Sequence, residues 1–552
     1  MKFVMKKLIA KASKKNAERA RKRLEGTSVT INIPGELHGK KSCAEVLLVG
    51  HRLLRNSRPE DALDIAQALL AQIDDIVDIH LLKARALLDL EDLGALHRLI
   101  IPLVEAAGNN AGVSMVAARY YYLLGQASKS VVFAKKAVVS DSPNIDVLLH
   151  IELCYRYSGE TEKSTQILKR CLAIIGGAGQ SIEARFAHLG YSAALLRLAS
   201  YATLDSDLLA ELEEIYSRSK DSQLTSRAAY ALAVQSAKRK DRTSEIKFLG
   251  MANDSECEVS GLVSRLPLVR DSYQQKYAAQ SGVFDRSNPH WFSNFNIAAG
   301  NHTPVFVLGL PRSGTTLIEQ ILGGHSRVGQ VGESKAFLTA LKNASRKTNP
   351  MWGHEYPSYL HKLSEQSFQG MVHDYELHQS LLTDKTIYID KELANFRYVG
   401  LMALLFPKAK FIHMDRAPMD IFLSCFRNSI PGVPETANLT ALAEYYVHMK
   451  QLIGHWRSVF QDRLLIINYQ SLVHEPEEFA RQAADFIGIE FEPAMLDFHQ
   501  RKNIVRTLSV DQVRKKIYTS SIEGWRAYSE VLEPAREVLE KNNIPLEGVA
   551  FL

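Results

Sequence analysis

Residues 304–316, PVFVLGLPRSGTT, decide how the C-terminal half of this chain is read. An apolar run breaks into a turn of Gly, Pro and Ser and then into the helical pattern TTLIEQIL, which predicts a strand, a loop and a helix. Gly309 and Gly314 keep the GxxxxG spacing of a phosphate-cradling loop, where backbone N–H groups and a helix N-terminus face an anion. Thr315 stands where such a loop carries its lysine. That lysine bridges the β- and γ-phosphates and its partner hydroxyl holds Mg²⁺. A loop without it, with Arg312 inside the turn, suits a nucleotide handled without metal. The pattern argues against an ATPase or an ordinary kinase, and sulfuryl transfer is the reaction that fits.

The 552 residues are enough for two or three domains, and 46% hydrophobic with 23% charged residues is ordinary for a globular protein. The formal charge of +6 is uneven: residues 1–27 hold ten Lys and Arg against Glu18 and Glu25, so the remainder is slightly acidic. A basic amphipathic tail over 1–30 reads as a solvated helix; contact with an anionic membrane surface is the less favoured reading, and no nucleic-acid partner is expected. No apolar run approaches the roughly 20 residues of a membrane span, and the tail lacks the apolar core of a signal peptide. The expectation is a cytoplasmic protein. Its five cysteines are far apart and without CxxC spacing, which predicts reduced thiols and no zinc site.

From 42 to 255 the apolar residues recur with helical period. Gly125, Lys129 and Ser130 stand thirty-four residues before Gly159, Lys163 and Ser164, and the same phase places Ser57 and Glu91 at matching inter-helix turns. This spacing resembles tetratricopeptide repeats, whose helix pairs carry a small residue at that turn and alanines, here Ala134 and Ala137, where helices touch. The resemblance implies five or six helix pairs, degraded after Gly176, with the Tyr120–Tyr122 cluster as inter-repeat core. A connector follows over 256–301. From 302 to 552 strand-like runs alternate with helical patterns: PVFVL, KTIYID, AKFIHMD and RLLIIN. Such alternation predicts a parallel sheet with crossover helices and ligands at the carboxyl ends of the strands. The fold class is therefore α + α/β, a helical repeat array followed by a P-loop-like α/β domain.

Residues 304–525 resemble the sulfotransferases, nearest to the tyrosylprotein sulfotransferases and to bacterial proteins that join tetratricopeptide repeats to a sulfotransferase domain. The resemblance implies transfer of a sulfuryl group from 3′-phosphoadenosine 5′-phosphosulfate to an acceptor hydroxyl, with no metal. Pro311, Arg312, Ser313, Gly314, Thr315 and Thr316 correspond to the family's phosphosulfate loop. In HMDRAPMDIFLSCFRN, Arg416 and Ser424 correspond to its 3′-phosphate site: a guanidinium at a strand end and a hydroxyl two helical turns on can face one phosphate. Arg427 is a further candidate there, although the family's arginine aligns with Asn428. Glu333 in GQVGES lies twenty-one residues after Arg312, the spacing of the family's proposed catalytic base. Lys391 and Arg397 align with two family lysines, and one or both would balance charge on the leaving phosphate. Tyr469, Ser509 and Lys515 match positions that touch the nucleotide.

The implied acceptor is open between protein tyrosine, a carbohydrate and a small molecule, with a polypeptide docked on the repeat groove and a homodimer as open alternatives. A binding scaffold with a catalytically inactive nucleotide domain is the rival reading from another class. A phosphoryl transferase is disfavoured by Thr315.

Overall fold

A computed structural model of the chain describes residues 22, 24–33, 36–73, 76–137, 144–176, 189–288, 300, 302–345, 356–430, 432–501, 507, 513–514, 516–517, 519 and 522–547. Most of the basic tail, the glycine run at 177–179 and the aromatic stretch 290–296 lie outside these residues. The chain divides into two compact units. One spans 1–158 with Lys335–Leu341 and Asp374–Leu382; the other holds Gly159–Ser334, Lys342–His373 and Thr383–Leu552.

The first unit begins with an antiparallel hairpin, β1 (Ser28–Ile33) and β2 (Leu37–Ser42); residues 28–30, read as the end of the helical tail, are strand, and the sequence reading assigned no element to 31–41. Val29 and Ile31 alternate into the core at 2% and 3% exposure. Helices α1 (Cys43–Arg55), α2 (Pro59–Leu70), α3 (Val77–Asp89), α4 (Leu93–Ala107), α5 (Ala111–Leu123), α6 (Ala127–Lys136) and α7 (Ile145–Tyr157) follow. The first helices of successive pairs begin at 43, 77, 111 and 145 and the second ones at 59, 93, 127 and, as α8 (Thr161–Ile175), 161, a 34-residue period at both ends.

Local chemistry sets this period. Ser42, Asn110 and Asn144 cap the first helices by accepting backbone N–H groups, with Glu45 closing a capping box on Ser42. Ser57, Glu91, Gly125 and Gly159, the four turn positions in phase, all have positive φ, from 52° to 81°. That conformation suits glycine and strains the other two. Ala62, Leu96, Ser130 and Ser164, again in phase, are fully buried. Ser130 Oγ donates to Ala118 O across 2.6 Å, so a hydroxyl can occupy a buried helix contact. Tyr120 is buried and Tyr121 stacks on Phe133 at 5.2 Å, as expected of inter-repeat core.

In the second unit, helices α9 (Leu189–Tyr201), α10 (Ser206–Arg218), α11 (Ser222–Lys238) and α12 (Arg242–Val259) leave the 34-residue phase. Helix α13 (Val269–Val283) precedes a parallel sheet of β3 (Thr303–Leu308), β4 (Val328–Gly332), β5 (Ile387–Asp390), β6 (Lys410–Asp415) and β7 (Leu464–Asn468). Its order is β4-β5-β3-β6-β7, with Val305 opposite Ile389 on one side and Val307 opposite Ile412 on the other. The four runs read as strands are β3, β5, β6 and β7. β4, VGQVG, escaped notice because two glycines in five residues dilute the β-branched signal. β3 and β6 are buried along nearly their whole length, as central parallel strands covered on both faces must be.

Among the described residues no helix is long and apolar enough to cross a membrane. All five cysteines are buried free thiols.

Candidate active site

Each of the five parallel strands delivers one candidate residue or loop at its carboxyl end. β3 runs into the Gly309–Gly314 loop; Glu333 follows β4, Lys391 follows β5, Arg416 follows β6 and Tyr469 follows β7. The sheet order changes direction at β3, and an open α/β sheet has its crevice at the strand ends there.

The loop after β3 leads into α14 (Thr315–Leu322), with Gly314 as its N-cap at φ 101°. Both glycines are dictated by space. A Cβ on Gly309 would sit 2.4 Å from Ser313 Oγ, and one on Gly314 would sit 2.4 Å from Tyr469 Cδ2. Arg312, in the turn between them, adopts φ 71°, a strained conformation held by two contacts. Its Nε donates to Ser424 Oγ at 2.8 Å, and its carbonyl accepts from Arg416 Nη1 at 2.7 Å. Arg416 and Ser424 thus meet at Arg312, the residue both of them hold. The Arg416 side chain is nearly buried and its guanidinium lies 4.5 Å over the Tyr469 ring, which in turn abuts Gly314. Ser313, Thr315 and Thr316 are buried, and Thr316 Oγ1 lies 3.3 Å from Thr507 Oγ1. The Pro311 carbonyl faces Cys425 Sγ at 3.7 Å.

A second group forms at β4 and β5. Lys391, 2% exposed, donates from Nζ to Glu333 Oε1 at 2.5 Å and lies 4.0 Å from Glu319 Oε2, a buried carboxylate on α14. Burial alone would lower the Lys391 ammonium, but the Glu333 and Glu319 carboxylates outweigh it and hold the group above the usual lysine range. Glu333, with a third of its side chain exposed, is the member of this triad open to an incoming hydroxyl. Glu333 therefore pairs with Lys391 and is not spent on capping a helix.

Arg397 takes a different course. Its Nη2 donates to Tyr445 Oη at 2.8 Å and its guanidinium lies 5.2 Å over that ring and 5.7 Å over Phe396. Arg427, the further 3′-phosphate candidate, ion-pairs with the buried Glu245 at 2.7 Å and lies over Tyr528 at 4.4 Å. Helix α15 (Pro418–Phe426) has Pro418 in its first turn, where its fixed φ suits a helix start and its missing N–H costs no intrahelical bond. Ser509 and Lys515 lie outside the described residues. No group of three or more His, Cys, Asp and Glu suited to a metal ion occurs among the described residues.

Residues 304–493 match the model of the Sulfotransferase family. The C-terminal half carries a sulfotransferase domain. The chain is 35% identical over 252 residues to an uncharacterized protein of Aquifex aeolicus (strain VF5), covering 44% of this chain and 33% of that one. It is 24% identical over 238 residues to the protein-tyrosine sulfotransferase of Drosophila melanogaster and 25% identical over 242 residues to protein-tyrosine sulfotransferase 1 of Danio rerio. Each of these two matches covers 40% of this chain, and 46% and 65% of the relative. The sulfotransferase domain of the Synechococcus PCC 7002 olefin synthase superposes with a TM-score of 0.31 at 19% identity, covering 45% of this chain and 99% of that one.

Two features of the sulfotransferase domain went unread in the sequence. Glu319 sits in TTLIEQIL among residues that read as an apolar stripe, where a lone carboxylate on the buried face was the available signal. Lys450, fully buried on α16 (Leu439–Val459), reaches Asp415 at the end of β6 at 3.3 Å. A charge inside YYVHMKQLI was again the clue, and its partner lies thirty-five residues away in sequence.

Proposed function

We infer that the protein transfers a sulfuryl group from 3′-phosphoadenosine 5′-phosphosulfate to an acceptor hydroxyl. The single observation that carries this reading is that the loop, Glu333, Lys391, Arg416 and Tyr469 all leave the same edge of the sheet. The residues suit such a donor: two glycines without room for a Cβ cradle an anion, and Arg312, Lys391 and Arg416 supply positive charge at the strand ends.

The donor, when bound, presents an activated sulfur and a phosphate that leaves readily. Glu333 takes the acceptor proton as the new S–O bond forms and the bond to the leaving phosphate breaks. In the structure the Lys391 ammonium occupies Glu333 Oε1. Movement of the ammonium toward the leaving oxygen frees the carboxylate at the moment charge develops there, so one displacement prepares both groups. Glu319 stays behind as the buried counter-charge. Arg416, stacked on Tyr469 and bonded to the loop, is assigned to the 3′-phosphate. Arg397, engaged with Tyr445, is the weaker of the two candidates for the leaving group.

The names of the animal relatives favour a tyrosine hydroxyl on a polypeptide as acceptor, and the 34-residue period supports a tetratricopeptide-like array as the part that presents it. The test is calorimetric titration of 3′-phosphoadenosine 5′-phosphate into wild type and Arg416→Ala, with and without Mg²⁺. Metal-independent binding that weakens at least about tenfold in the variant is expected. A folded wild type that does not bind the nucleotide would overturn the reading.

A further inference from the structure

Glu91 stands in the turn between α3 and α4 at φ 52°, where two of the other three turns in phase carry glycine. A side chain in that conformation strains the backbone, so the helix pair itself gives no reason for a glutamate there. Its partner does. Glu91 Oε1 accepts from Lys335 Nζ at 2.7 Å, and one residue earlier the Leu90 carbonyl accepts from Thr339 Oγ1 at 3.2 Å. The ion pair is open to solvent, with 51% of the Lys335 side chain and 28% of the Glu91 side chain exposed. Such a pair contributes less to stability than a left-handed residue with a side chain costs. Stability therefore does not account for Glu91.

Lys335 precedes the helix Ala336–Ser345 and follows Glu333 by two residues. The first compact unit takes in Lys335–Leu341 and Asp374–Leu382 beside the helical array. Both segments are fitted to the same turn. A Cβ on Gly94, at the start of α4, would sit 3.2 Å from Leu377 Cδ2, and Phe337 meets Tyr375 edge to face at 6.4 Å with both rings buried. The division between the units falls between Ser334 and Lys335, so Glu333 belongs to the second unit and Lys335 to the first. Within two residues the chain passes from a carboxylate held by Lys391 to an ammonium held by Glu91. Two residues span at most about 7 Å, so a shift at Lys335 is handed on to Glu333.

We propose that Glu91 is a positioning residue for the reaction: it fixes Lys335 and, through the two-residue tether, sets where the Glu333 carboxylate meets the acceptor hydroxyl. The inference rests on the sulfuryl-transfer reading and adds that a turn of the helical array places the base. A general base acts only within hydrogen-bond reach of the proton it takes, and a misplacement of about 1 Å costs up to about 10²-fold in rate. A glutamate at a strained turn, tied to the segment that carries the base, is thus explained by turnover where stability fails to explain it.

The test compares Glu91→Gly with Ser57→Gly in the full chain. Ser57 occupies the equivalent turn between α1 and α2 at φ 56°, so both variants put glycine where the backbone favours it, and the urea-unfolding midpoint of each should stay at or rise above that of wild type. Only Glu91→Gly releases Lys335. Its kcat for 3′-phosphoadenosine 5′-phosphosulfate, with a tyrosyl peptide and with water alone as acceptor, should fall about tenfold, while calorimetric affinity for 3′-phosphoadenosine 5′-phosphate stays that of wild type. Ser57→Gly should turn over as wild type does. Lys335→Met should show the same loss as Glu91→Gly, and Glu91→Gly/Lys335→Met no more than either, because both changes break one link. Hydrogen exchange over residues 333–341 should quicken in Glu91→Gly and not in Ser57→Gly. Wild-type turnover in Glu91→Gly, an equal loss in Ser57→Gly, losses that multiply in the double variant, or equal exchange in the two glycine variants would each overturn the proposal. A wild type that does not bind the nucleotide overturns the transfer reading and this inference with it; a wild type that binds and turns over beside an unaffected Glu91→Gly overturns this inference alone.

Discussion

Lys391 Nζ lies 2.5 Å from Glu333 Oε1, joining the end of β5 to the end of β4. The residue read as base and the residue read as charge stabiliser hold each other, and Glu319 stands 4.0 Å away as a third, buried member. Glu333→Gln keeps the shape and the hydrogen bond but removes the proton acceptor. Turnover should fall by about 10²–10⁴-fold, the usual worth of a general base, while nucleotide affinity stays near that of wild type. Steady-state kinetics beside calorimetry reads the two separately; a matched loss of both would make Glu333 a binding residue.

Gly314 combines φ 101° with a Cβ position 2.4 Å from the Tyr469 ring. Gly314→Ala must strain the backbone and displace the ring on which Arg416 lies. We expect a loss of about 1–3 kcal/mol in thermal or urea unfolding together with weaker nucleotide binding. Tyr469→Ala/Gly314→Ala, which removes the clash and leaves the strain, should recover part of the stability and none of the binding.

Lys450 and Asp415 form an ion pair with both side chains at 3% exposure or less. Removing one partner strands a charge in the core, so Lys450→Met should cost about 3–5 kcal/mol. Asp415→Leu/Lys450→Met, an apolar pair of similar bulk, should return most of it. A double-mutant cycle by denaturant unfolding checks the coupling.

His413 on β6 and His448 on α16 are buried, and burial, the larger cause in both, pushes each to about 3. The unfolded chain takes up a proton at each near the ordinary value of about 6.5. Each neutral histidine thus contributes stability that is present above that value and lost as pH falls toward 3. Melting temperature should begin to drop below about pH 6.5, before the carboxylates titrate. His448 stacks on Tyr273 at 4.8 Å, so His448→Phe keeps the ring contact and should flatten part of that slope. An unchanged slope would assign the acid sensitivity elsewhere.

Much of this protein was legible before its fold was known, because the signals were local. PVFVLGLPRSGTT names a strand, a turn and a helix through the conformational limits of its own residues, and the 34-residue phase at Ser57, Glu91, Gly125 and Gly159 is written into turns that need positive φ. The residues after β5, β6 and β7 could be assigned for the same reason: each follows a run whose burial is encoded in its own composition. Tertiary structure alone decided what lies between these segments. That Arg416 and Ser424 both hold Arg312, and that Lys391 spans Glu333 and Glu319, depend on the order β4-β5-β3-β6-β7, which brings together residues up to 112 positions apart; that Arg427 serves Glu245 depends on where helix α12 lies. A side chain's charge is a property of its residue; the partner that meets it is a property of which strands lie side by side.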